Sequence, residues 1–155
     1  MSISLQKSIL QTLLDPQSVK FLLTCNRQAL PHATFLKKIE VTEEGSLIVL
    51  AQDEFSPLNQ ELLYSLWFDQ WVTLNLQAPD GRVQELALRP QKCLITGPVF
   101  SHYYQLVRQE DPRADLASVW LLTPEQVHDY TEATWRKRAE EEHPFFLHLD
   151  RIAKG

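Results

Sequence analysis

Between Val19 and Val99 the chain runs through three extended segments, one helical segment and three more extended segments. The extended pieces are VKFLLTC (19–25), PHATFLKKIEV (31–41), SLIVLAQ (46–52), WVTLNLQ (71–77), RVQELAL (82–88) and KCLITGPVF (92–100). The helix between the third and the fourth is SPLNQELLYSLWFD (56–69). Strands in this order, interrupted once, describe a small closed β-barrel with α-helices, and such a barrel holds or borders a site.

Local signals set the boundaries. Leu5, Ile9, Leu10, Leu13 and Leu14 recur at helical spacing, which predicts a first helix over 4–14 that Asp15-Pro16 stops. In the second strand Phe35, Lys37, Ile39 and Val41 share one face, expected to point inward; Thr34, Leu36, Lys38 and Glu40 share the other. Ser56 is a cap and Pro57 a first helical residue, with Leu58, Leu62, Leu63, Leu66 and Trp67 as the buried stripe of the helix they open. Pro79-Asp80-Gly81 is a hairpin turn, and Pro90 marks an edge or a bulge. Gly97 predicts a strand bend, Ser101 a helix cap, and Ser118–Leu122 a last strand; Thr123-Pro124-Glu125 reads as a helix start. A charged helix follows over 131–142, then an apolar tail, His143 to Leu149, that predicts packing on the barrel or on a second subunit.

With 155 residues the chain fits one domain, with its core in 15–130 and residues 131–155 as a dimer arm. A net charge of −5 argues against nucleic acid, since a binder needs a basic face to replace counterions. The run Arg136-Lys137-Arg138 is followed at once by Glu140-Glu141-Glu142, an i, i+4 pattern of a solvated helix. No apolar stretch approaches the ~18 residues of a membrane span. The start MSISLQKSILQTLL lacks the basic leader and small-residue cleavage site of a secretory signal, so the expected location is cytoplasmic. Cys25 and Cys93 lie in apolar strands without nearby histidines, which predicts buried free thiols and no metal site.

Several pieces resemble, in order, the FMN-binding split barrel of the pyridoxamine 5′-phosphate oxidase-like proteins. Pro31-His32 opens the second strand; Phe68-Asp69-Gln70-Trp71-Val72 ends the interrupting helix in an aspartate before a strand; KCLITGPV and VWLLTPEQVHDY resemble the family's later strands. The resemblance covers roughly residues 15–130. It implies an antiparallel, Greek-key-like split barrel of six to seven strands with N-terminal, interrupting and C-terminal helices. It also implies a homodimer with FMN in a groove at its interface, and an oxidoreductase whose catalytic residues and substrate the sequence does not name.

On that resemblance the cofactor-binding candidates are Phe35, Lys37, Lys38, Gln52, Ser56 and Asn59. Lys37 or Lys38 would offset the phosphate charge, since neighbours on a strand face opposite ways and one at most is a ligand contact. Ser56, Asn59 and the amides after them would bind phosphate oxygens, and Gln52 would reach the ring or ribityl chain. Against this, no lysine or arginine lies between Lys38 and Arg82, while Asp53, Glu54 and Glu61 crowd the helix start. That charge pattern favours the alternative, a non-catalytic barrel with a degraded flavin site acting as a binding or regulatory module. His32 is placed to hydrogen-bond a ligand, although a histidine at a strand entry reads more simply as polar surface. His143 and His148 are no helical metal pair, and the haem ligation known in some split-barrel relatives is the one other role open to them.

Overall fold

The computed structural model describes residues 2–143. Its elements are α1 (Lys7–Leu14), β1 (Val19–Cys25), β2 (Pro31–Phe35), β3 (Glu40–Val41), β4 (Leu47–Ala51), α2 (Pro57–Trp67), β5 (Val72–Gln77), β6 (Val83–Leu94), α3 (Pro98–Glu110), β7 (Ser118–Asp129) and α4 (Glu132–Glu142). The strands form one antiparallel sheet in the order β2-β1-β5-β6-β7-β4-β3.

The sheet must curl. Its two ends, β2 and β3, are joined by residues 36–39 alone, a link that reaches at most about 18 Å between Cα atoms 35 and 40. Laid flat, seven strands would set their outer members about 29 Å apart. The segment expected as one strand over 31–41 is therefore two short strands, the first paired with β1 and the second with β4. Inside the curl, Leu22, Leu74, Leu76, Leu86, Leu88, Leu122 and Trp120 form the core, with Ile9 and Leu13 of α1 and Leu58 and Leu62 of α2 packed against them. A second cluster, Ile48, Leu116 and Val119 with Tyr103, seats α3 against β4 and β7.

The strand break reverses the expected faces of the second segment. Leu36 is buried, while Phe35 is 59% exposed and meets Phe21 edge-on at 5.6 Å, and Lys37 points to solvent. Ile39 is buried as expected. Leu36 and Ile39 are an odd number of residues apart, so the four-residue link has turned the chain over.

Other boundaries moved for identifiable reasons. Segments 82–88 and 92–100 are not two strands: β6 runs unbroken through Pro90, with register shifts at Ala87/Leu88 and Pro90/Lys92 that absorb the proline as bulges. Residues 95–100 do not continue the sheet. Gly97, at φ +98°, is the N-cap of α3, which starts at Pro98 rather than after Ser101. Thr123-Pro124-Glu125 opens no helix; β7 continues to Asp129 because β6 pairs with it throughout. The first helix starts at Lys7, and Trp67 is 81% exposed, so it leaves the buried stripe of α2.

Two polar anchors hold the loops. Lys20 points inside β1 and is 2% exposed, donating to the Asp15 and Ser18 carbonyls at 3.1 and 3.3 Å. Burial pulls its ammonium below the ordinary lysine value, with Asp15 opposing. After α2, Asp69 takes a left-handed conformation, and its carbonyl and carboxylate accept from Arg89 at 2.6 and 3.0 Å. The same guanidinium bonds Glu125 at 2.9 Å and lies over Trp71. Cys25 is exposed rather than buried and Cys93 is half-buried; both are free, and burial pushes the Cys93 thiol up. The apolar tail from Pro144, with His148, lies outside the described residues; His143 closes α4 through its N–H to the Ala139 carbonyl.

Candidate functional site

A hollow of about 650 Å³ lies between β2, the end of β4, the start of α2 and the end of α3, within the roughly 300–1,000 Å³ of small-molecule sites. Phe35, Lys37, Lys38, Gln52 and Ser56 all border it, so five of the six residues singled out in the sequence meet in one place. The elements explain the convergence. The strand break at 36–39 brings both lysines over the mouth, and β4 ends at Ala51, which leaves Gln52 and Asp53 on the facing rim.

The cations and donors are not equally available. Lys38 pairs with Glu40 at 3.2 Å on the surface. Ser56 caps α2: its hydroxyl accepts the Asn59 N–H at 3.2 Å and donates to the Asp53 carbonyl at 2.7 Å. Asn59 does not border the hollow. Its carboxamide turns into the core, where Nδ2 donates to the Glu54 carbonyl at 2.9 Å and Oδ1 accepts from Ser118 Oγ at 2.7 Å and Trp120 Nε1 at 3.1 Å. Asp53 and Glu110 set two carboxylates against the two lysines.

On the inner face of β2 the sequence offers His32 only as a secondary ligand contact and does not single out Thr34. His32 and Thr34 both border the hollow, and His32 Nδ1 and Thr34 Oγ1 are buried atoms without a hydrogen-bond partner. Buried polar atoms are almost always satisfied, so the Thr34 hydroxyl marks where a ligand's polar group or ordered water belongs. Behind His32 sits Glu61 of α2, whose Oε2 accepts from the Thr24 hydroxyl and lies 3.4 Å from His32 Nδ1. The signal that could have found Thr34 is parity: it is two residues from His32 and from the apolar Leu36. Nothing in the sequence joins His32 to Glu61. Among the described residues no cluster of histidine, cysteine and carboxylates could hold a metal ion.

No protein-family model and no curated protein matches the sequence. Solved structures do match the fold. HupZ of Group A Streptococcus superposes with a TM-score of 0.64 at 7% identity, covering 83% of this chain and 96% of its own. A Listeria innocua protein classed with the pyridoxamine 5′-phosphate oxidases matches with a TM-score of 0.59 at 15% identity, over 81% of this chain and 97% of that one. An FMN-binding protein of Syntrophomonas wolfei matches with a TM-score of 0.56 at 9% identity, over 75% and 78%. The chain thus has the split-barrel fold of the pyridoxamine 5′-phosphate oxidase-like, FMN-binding proteins.

Proposed function

We propose that this chain binds FMN in the hollow beside β2 and works as a flavoprotein oxidoreductase. The observation that carries the reading is the unpartnered Thr34 Oγ1 of β2 beside a hollow that Lys37, Lys38 and Gln52 also border. Phosphate would lie toward the two lysines, because the Ser56 and Asn59 groups at the start of α2 already bond one another and their neighbours. Gln52 and Thr34 would bond the ring or the ribityl chain. Bound flavin would supply the electron transfer, and the protein its binding and access.

Titration of the purified protein with FMN, followed by quenching of flavin fluorescence, tests the reading. It predicts saturable binding, weakened about tenfold by Lys37→Ala or Lys38→Ala through loss of one charge-assisted contact. Absence of binding would instead support the second reading, a non-catalytic barrel serving as a binding or regulatory module. The two carboxylates of Asp53 and Glu110 beside the hollow favour that reading.

A homodimer accords with the exposed aromatic residues at and beyond the ends of α2: Phe55 and Trp67 are each about 80% exposed, and Phe68 joins them. Light scattering of wild type and Trp67→Glu checks it; a monomeric wild type refutes it. No helix among the described residues is long and apolar enough to cross a membrane, and a cytoplasmic location is part of the proposal.

A further inference from the structure

We propose that His32 is the base of the hollow, with Glu61 as the positioning residue that fixes its tautomer. Glu61 is buried in α2, and its carboxylate takes the hydroxyl hydrogen of Thr24 from β1. Its Oε2 stands 3.4 Å from His32 Nδ1, a buried atom with no completed hydrogen bond, although the His32 side chain as a whole is 41% exposed. The exposed part of the ring is therefore its other edge, and His32 borders the hollow. A carboxylate can only accept, so a small ring rotation closes Nδ1–H onto Glu61 and leaves Nε2 as a lone pair facing out. Hydrogen bonds of this kind are commonly loose before a ligand arrives.

The ligand group this arrangement takes is an N–H or O–H, such as an imide or a hydroxyl. Bound to Nε2, it donates a hydrogen bond. If its proton transfers, the ring becomes imidazolium, the ligand keeps the electron pair as an anion, and Glu61 offsets the new positive charge. The other titratable groups are Lys37 and Lys38 beyond β2, Asp53 after β4 and Glu110 of α3, which border the hollow, and Arg27 in the β1–β2 link and Tyr64 of α2, which line the groove on the other side of Glu61.

The inference borrows from the flavin reading only its probe. In the free protein, ¹⁵N shifts of the His32 ring report the tautomer directly: wild type should carry the proton on Nδ1, and Glu61→Gln should lose that preference. A wild-type ring protonated on Nε2 would overturn the proposal, whether or not any flavin binds. With riboflavin, which lacks the phosphate and so isolates the ring, affinity should fall about tenfold in His32→Phe, which keeps the ring's bulk and removes the acceptor. Glu61→Gln, which frees the tautomer but keeps the imidazole, should lose a smaller part of that affinity. Riboflavin affinity unchanged in both would also overturn the proposal; failure of wild type to bind FMN or riboflavin would refute the flavin reading and leave the tautomer measurement to decide this one.

Discussion

Asn59 and the inner face of β2 place buried polar atoms near the same hollow and use them in opposite ways. Both ends of the Asn59 carboxamide are engaged, tying α2 to β7 and to the loop before the helix. On β2, Thr34 Oγ1 has no partner, and His32 Nδ1 stands 3.4 Å from Glu61 with no completed hydrogen bond. A buried polar group that is satisfied within the chain reports on architecture; one left unsatisfied reports on something the chain receives. The residue types alone would have ranked the two the other way round.

The contrast can be broken most forcefully at Asn59. Asn59→Leu would strand the Ser118 hydroxyl and the Trp120 indole in the core, costing about 3 kcal/mol in urea denaturation. A loss below about 1 kcal/mol would mean that those groups find other partners and that Asn59 is no tie.

Tyr103→Phe comes next, because Tyr103 of α3 donates its hydroxyl to Glu40 of β3 and so clasps the helix to the sheet's end. Its loss should cost about 1.5 kcal/mol near neutral pH, as for a hydrogen bond to a charged group. The Tyr103 hydroxyl, with Lys38 behind it, holds the Glu40 carboxyl below its ordinary 4.5 against the effect of burial. That contribution is complete above the ordinary value and disappears as pH falls through the lowered one. Burial, then Glu40, pushes Tyr103 from 10.0 up to about 12, so its contribution is complete below 10.0 and disappears as pH rises toward 12. Melting temperature against pH should therefore lose a shoulder at both extremes in the variant. Parallel curves would remove the clasp from the account.

Ser56→Ala should cost about 1 kcal/mol, the ordinary worth of an N-cap. It should also leave FMN affinity unchanged if phosphate lies toward the lysines; a large loss of affinity would return the phosphate to the helix start. Thr34→Val has the smallest expected effect on stability, within about 0.5 kcal/mol of zero, because no bond is lost with the hydroxyl. Denaturation as costly as at Asn59 would erase the difference between the two regions.

Much of the scaffold was legible because its signals are local. Ser56-Pro57 opened α2, Pro79-Asp80-Gly81 turned β5 into β6, and the order of elements gave the split barrel. What failed depended on distant partners. Thr123-Pro124-Glu125 has the chemistry of a helix start, but strand pairing with β6 overrides it. Pro90 is the bulge it was expected to mark, but the segments on either side of it, taken as two strands, are one continuous β6. The faces of β2 were inverted because alternation was counted through residues 36–39, where the strand stops. Of the site, five residues converge as a group, while Asn59 serves the core, and the His32–Glu61 contact joins two elements, β2 and α2, that sequence spacing does not connect.

Amide spectra recorded as FMN is added would show where the ligand sits. The account predicts shifts concentrated in residues 32–38 and 52–56, fading toward Asn26, Arg27, Tyr64 and Trp67 in the neighbouring groove along α2. Shifts centred on that groove, or none at saturating flavin, would contradict it.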